Sequence, residues 1–432
     1  MRIEGLRGSY SPVNSTPTLA LTSAEEGLSS SSSLQSLKDI SSNNNNSLVD
    51  YMKKIVYDLS EIPRYSLNKA GMDEAFRYID DKFKEMGFGE NLNKDAVTDY
   101  GTLAHQEFSW NKDLFPGYKH LEEIMPSSAK NLIVSFGSKK QDAEVIVIGG
   151  HYDTDSSEMA EFTRGLGNGF KEHANNDTPL KDIADLVRST LVNYFNKKGI
   201  SNPEVATEIK SINDIAQLPH FNRGADDNAS AVAGVLASAS LLKRDKAFIE
   251  KLAQKNIRIE CVAFANEEAP FFNHNLMGSQ IHAKSLKKTG AKVQALIYEM
   301  IGYFDDKEGS QNYPAEKLLK LFYPKKGDFI GVVANHFPGS IELARNLKRT
   351  FEKSTSLPAS WLAFVEKLLP PIGFSDHKSY WDQGYKAVMI TDTSYNRNKN
   401  YHVGGDDPEK LDYVRMAEVP KGVMNYLKNI IK

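Results

Sequence analysis

Residues 144–153 read Glu-Val-Ile-Val-Ile-Gly-Gly-His-Tyr-Asp. Apolar side chains occupy both parities from Val145 to Ile148, and two glycines end the run. That is the pattern of a short strand buried on both faces rather than one. An imidazole and a carboxylate follow at once. With the strand period of two, His151 and Asp153 share a face if the strand continues. A buried strand delivering polar groups at its end places those groups at the rim of a sheet.

The same grammar recurs outward from this stretch. Ile257 to Phe264, Val293 to Tyr298, Phe329 to Ala334 and Ala387 to Thr391 are short apolar runs expected as strands. Between them, Asn228 to Leu242, Gly278 to Leu286, Ile341 to Phe351 and Asp412 to Ile431 have helical composition and spacing. Upstream, Val49, Met52, Ile55, Val56 and Leu59 recur at helical spacing behind Ser47, a candidate N-cap, and a second helix is expected from about Gly71 to Met86. Strands alternating with helices predict an α/β protein with a mostly parallel sheet covered on both faces. In such sheets, sites form beyond the carboxyl ends of the strands.

Two stretches break the rhythm. Residues 1–46 are low-complexity, with serine and asparagine runs and few large apolar residues to offset the entropy of ordering, and are expected to be disordered. Residues 47–432 then form the main domain. Within it, residues 155–223 far exceed a βα loop of about 2–6 residues. Their Ile183, Leu186, Val187, Leu191, Tyr194 and Phe195 fall on one helical face. An inserted helical subdomain is expected there. The glycines from Gly165 to Gly169 lack dinucleotide-binding spacing and read as loop.

Composition narrows the function. Of 432 residues, 53 are Lys or Arg and 56 are Asp or Glu, for a net charge of -3. No bulk basic field points to nucleic acid or an anionic membrane. No apolar run approaches the roughly 20 residues of a membrane span. No classical signal peptide is legible near the start, so a cytoplasmic place or non-classical export is expected. The single cysteine, Cys261, lies in an expected strand and is expected to be buried; it excludes an all-cysteine metal site.

The remaining chemistry lies in acids and imidazoles where strands meet loops or helices. Asp226-Asp227 precedes a helix, where caps also favour acids. Glu267-Glu268 follows a strand expected to be buried, where adjacent like charges are costly without compensation. Glu299 ends an apolar run and wants a partner, and His402 sits in a loop before the last helix. His377 reads as a structural or supporting histidine. Two imidazoles and three carboxylates from distant points suit two divalent ions sharing one carboxylate, and zinc takes both donor types. Asp153 is placed to orient His151. Tyr401, beside His402, is a candidate oxyanion donor. No Gly-x-Ser-x-Gly, His-Glu-x-x-His or P-loop is present.

At these residues the chain resembles family twenty-eight of the metallopeptidases, from about Asn131 to Met424 apart from the insertion. The resemblance rests on an ordered set: Gly-Gly-His-Tyr-Asp-Thr (149–154), Gly-Ala-Asp-Asp-Asn-Ala-Ser (224–230), Phe-Ala-Asn-Glu-Glu (264–268), Met-Gly-Ser (277–279), Glu-Met-Ile-Gly-Tyr (299–303), Ser-Asp-His (375–377) and Tyr-His-Val-Gly-Gly-Asp-Asp-Pro-Glu-Lys-Leu-Asp-Tyr (401–413). It implies a three-layer α/β/α zinc-exopeptidase fold and an exopeptidase, most often an aminopeptidase, acting on a peptide or aminoacyl substrate. It implies two Zn2+ ions per chain. His151 and Glu299 would bind the first, His402 and Glu268 the second, with Asp226 as the bridge. Asp153 would orient His151, and Glu267 would be the general base. Glu299 stands where many members have Asp, and a bacterial branch shares its Glu-Met-Ile-Gly. The family also holds one-zinc glutaminyl cyclases and carboxypeptidases. A non-catalytic interaction protein is the reading from another class.

Overall fold

The computed structural model describes residues 45–88, 101–111, 114, 126–155, 222–313, 319–320, 322–402 and 405–432. The low-complexity stretch 1–46 lies outside these except for its last two residues. The subdomain expected over 155–223 lies outside them except for Asp155, Asn222 and Arg223.

In chain order the elements are α1 (Asn45–Ser60), α2 (Lys69–Glu85), β1 (Gly101–Ser109), β2 (Ser128–Gly137), β3 (Glu144–His151), α3 (Ala231–Arg244), α4 (Lys246–Gln254), β4 (Ile257–Phe264), α5 (Gly278–Thr289), β5 (Val293–Glu299), β6 (Ile330–Asn335), α6 (Pro338–Ser354), β7 (Ala359–Phe364), α7 (His377–Asp382), β8 (Lys386–Thr391) and α8 (Tyr413–Ile430). The strands form one sheet in the order β1-β2-β4-β3-β5-β8-β6-β7. Strands β4, β3, β5 and β8 are mutually parallel, as are β6 and β7. The β1–β2, β2–β4 and β6–β8 pairs are antiparallel. The architecture is the expected α/β fold with a mostly parallel sheet, here mixed by three antiparallel pairs.

Alternation along the central strands builds two apolar layers. Ile146 and Ile148 of β3, with Leu296 and Tyr298 of β5, pack in a core with Val235 of α3, Leu347 of α6 and Met416 of α8. Val145, Val147, Ala295 and Ile297 point the other way, into a core with Leu286 of α5 and Tyr380 of α7. Each such aliphatic side chain contributes about 1.5–3 kcal/mol by leaving water. Gly150 is needed for the first layer, because a Cβ there would lie 2.7 Å from the Cβ of Ala231. Asp412 caps α8 by accepting from Val414 N at 3.1 Å and Arg415 N at 3.0 Å, a contribution of about 1 kcal/mol.

Two boundaries differ from expectation. Helix α1 starts at Asn45, so Ser47 lies inside its first turn rather than at its cap. The helix expected from Asn228 becomes regular only at Ala231. Residues Ala225–Ser230 form an irregular turn, with non-helical dihedrals at Asp227 and Asn228 and a cis peptide between them. Among the described residues, no helix is long and apolar enough to cross a membrane.

Candidate metal centre

Strands β3 and β5 lie side by side, and the chain runs on from β3 to β4 on one side but from β5 to β6 on the other. Such a switch point opens a crevice beyond the carboxyl ends of the strands. His151 pairs with Phe264, and Gly149 with Ile297. Two residues further along that second register, Glu299 comes level with His151. The turn after Phe264 brings in Glu267 and Glu268.

These groups meet around one carboxylate. His151 Nε2 lies 3.5 Å from Asp227 Oδ1, 3.4 Å from Glu299 Oε2 and 3.8 Å from Glu267 Oε2. His402 Nε2 lies 3.1 Å from Asp227 Oδ2 and 3.3 Å from Glu268 Oε1. The sequence reading placed Asp226 between the imidazoles, and the structure corrects it to Asp227. Asp226 turns away, accepting from Gly302 N at 3.0 Å and Asn398 Nδ2 at 3.1 Å. The irregular turn decides between them: neighbouring residues on it face opposite sides.

Supporting contacts hold the geometry. The Asp153 carboxylate accepts from the backbones of Glu267 and Glu268 at 3.1 and 3.0 Å and so fixes the acid pair. His151 Nδ1 lies 3.0 Å from the Asp153 backbone oxygen and 3.6 Å from its Oδ1. The Asp406 carboxylate accepts from Asp226 N and Asp227 N, at 3.1 and 2.9 Å for its Oδ2. Glu299 Oε2 accepts from Ser375 Oγ at 2.7 Å and Asn228 Nδ2 at 3.1 Å. Tyr401 stacks on His402 with ring centroids 3.7 Å apart. His377 is packed away from the centre. It is buried, with Nε2 2.6 Å from Ile372 O and its ring edge-on to Trp381. Sequence reasoning missed Asp155, Asp376 and Asp406, all buried. Asp155 carried a signal as one more step of two along the line His151, Asp153, and Asp376 and Asp406 lie in the quoted motifs 375–377 and 401–413.

The electrostatics are those of acids crowded without enough positive charge. Burial pushes the Glu268 carboxyl up to about 8, with Asp227 adding to the rise and His402 opposing it. Burial likewise holds Glu267 well above the carboxylate range, and takes Asp376 to about 7. Burial would lower both imidazoles, but the surrounding carboxylates outweigh it and raise them well above their usual value. Asp227 Oδ2 and Glu268 Oε1 are buried without a hydrogen-bond donor aligned on them. Ligand atoms of His151, Asp227 and Glu299 lie within 4.8 Å of one another, as do those of Asp155, Glu268 and His402. Imidazole nitrogens, carboxylate oxygens and uncompensated negative charge fit divalent zinc.

A cleft of about 820 Å³, open to solvent at its mouth, begins at Glu299 and Tyr401. Tyr313, Tyr323, Trp361 and Phe374 supply its rings, and Val333 and Met389 its aliphatic surface.

A histidine–carboxylate cluster at the switch point of such a sheet is that of a metal-dependent protein of peptidase fold. The chain belongs to peptidase family M28, whose model matches residues 206–427. It is 42% identical over 209 residues to the uncharacterized protein YfbL of Escherichia coli K12. That match covers 48% of this chain and 60% of the relative, less than two thirds of its length. The fold is similar to that of LapA from Legionella pneumophila, with a TM-score of 0.52 at 15% identity over 95% of this chain and 78% of LapA. It is also similar to Porphyromonas gingivalis glutaminyl cyclase, with a TM-score of 0.50 at 14% identity over 88% of this chain and 98% of the cyclase.

Proposed function

We propose that this chain is a zinc exopeptidase, an aminopeptidase that uses Glu267 as its general base. The observation that carries the reading is Asp227 between His151 and His402, with a second carboxylate facing each imidazole. His151, Glu299 and Asp227 Oδ1 would hold one ion. His402, Glu268 and Asp227 Oδ2 would hold the other. Zinc, when bound, supplies a Lewis acid that acidifies water and polarises a carbonyl.

The protein's own groups do the rest. Glu267 takes the proton of the attacking water and passes it to the leaving amine. Its position is set by Asp153, which grips its backbone N–H. The Tyr401 phenol, on the cleft wall, donates to the oxyanion as it forms. The cleft receives the side chain of the terminal residue. None of its described lining residues is Lys, Arg or His. A substrate's terminal carboxylate would meet no counter-charge there, which disfavours a carboxypeptidase. A terminal ammonium meets no like charge among them.

The test is Glu267→Gln, with zinc content measured beside turnover of aminoacyl amides. The variant should keep its metal and lose about 10²–10⁴-fold in rate. Full activity in it would refute the base assignment. On a glutamine-led peptide, release of ammonia with ring closure, rather than free glutamine, would transfer the chain to the cyclases.

A further inference from the structure

We infer that Asp155 is a positioning residue for His402, the carboxylate that orients its imidazole from the side away from the centre; this rests on the metal-site reading above. His402 Nε2 faces Asp227 and Glu268, while its other nitrogen, Nδ1, faces Asp155 Oδ1 at 3.8 Å. Asp155 is 2% exposed. The arrangement parallels that of His151, whose Nδ1 lies 3.0 Å from the Asp153 backbone oxygen and 3.6 Å from its Oδ1 while its Nε2 faces the acids. One tail of β3 thus sets an acceptor oxygen toward the outer nitrogen of each imidazole, the Asp153 backbone for His151 and the Asp155 carboxylate for His402. A carboxylate there favours the tautomer with hydrogen on Nδ1 and leaves the Nε2 lone pair for an ion.

The tail is also anchored outside the centre. Thr154 N donates to Arg64 O at 3.0 Å, and Thr154 bridges to Tyr65. The buried guanidinium of Arg64 donates to Leu59 O at 2.7 Å, Arg223 O at 3.0 Å and Gly224 O at 2.5 Å. Asp155 and the turn leading to Asp227 therefore hang from the same residue. His402 needs such a contact more than His151 does. It is in a loop at φ +57°, with 29% of its side chain exposed, whereas His151 ends a strand with 1% exposed.

The experiment is zinc titration of metal-free full-length protein by calorimetry, on wild type, Asp155→Asn, Asp155→Ala and Asp155→Glu, with thermal unfolding without metal as a check on folding. Wild type should bind in two steps. Asp155→Asn and Asp155→Ala should leave one step unchanged and weaken the other by about 10–100-fold, with Asp155→Glu restoring part of it. Cobalt loaded in place of zinc should show the altered step as a changed visible spectrum. A second step within twofold of wild type in Asp155→Asn would overturn the inference. So would equal weakening of both steps together with a lowered unfolding temperature, which would make Asp155 a general structural residue. Wild type taking up no zinc would sink the metal reading, and this inference with it.

Discussion

The two imidazoles approach the same Asp227 carboxylate from unlike supports. His151 is the last residue of β3, buried and hydrogen-bonded into the ladder beside β4. His402 lies in a loop, at a left-handed dihedral that costs most residues energy, and is held by side chains: Tyr401 stacked on one face, Asp155 at one nitrogen, Asp227 and Glu268 at the other. The strand half is fixed by backbone pairing and the loop half by contacts that single substitutions remove. Changes around His402 should therefore be felt more sharply and more selectively than changes around His151.

The largest expected effect erases the distinction. Asp227→Asn removes charge from both halves at once and should abolish metal uptake and turnover together. Its neighbour is the control. Asp226→Asn keeps an acceptor for Gly302 N but loses the one facing Asn398 Nδ2, so metal content of the folded protein should match wild type while the unfolding temperature falls by about 4 °C. Equal metal loss in both variants would break the comparison, because it would mean that the turn, not the one carboxylate, joins the halves.

A smaller effect is expected with pH. Glu268 at about 8, Asp406 at about 8 and Asp376 at about 7 all stand above the ordinary carboxyl range because of burial. A raised folded-state value stabilises the protein fully below the unfolded value, and the gain is lost as pH climbs through the folded one. Metal-free protein should thus lose thermal stability steadily from about pH 5 to pH 8. Zinc replaces the protons, so its stabilising shift should grow over the same interval. A flat profile without metal would contradict the crowding of acids. The smallest effect touches neither half. Val333→Phe narrows the cleft and should move preference from large toward small terminal side chains by roughly 10-fold, read as kcat/KM on Phe and Ala amides, with metal binding unchanged.

Much of the frame was legible. Strand β4 reads as an apolar run from Cys261 to Phe264 and is buried there on both faces, while Arg258 and Glu260 pair with each other nearer its start. Strands β1 and β7 are half exposed, so their patterns give no such signal. At the centre, His151, Glu267, Glu268, Glu299 and His402 were legible as residues and are brought together. Asp226 against Asp227 was not, because the choice depends on dihedrals at Asp227 and Asn228 that no spacing encodes. Arg64 and Asp406 were missed because their work is with backbone groups far along the chain, to which side-chain motifs are blind.

The Arg64–Tyr65 dipeptide has a consequence for how this chain could change over time. It grips Thr154 and the stretch Asn222 to Gly224 together, and Gly224 has no room for a side chain because Thr154 already fills that space. Thr154 and Asn222, far apart in sequence, are thereby held at one point. The entropy of closing a loop there grows only with the logarithm of its length, about 0.6 kcal/mol per doubling. The junction is a socket: segments of very different size can be grafted into it or pruned from it, beside the reacting groups, without redrawing the sheet that carries them.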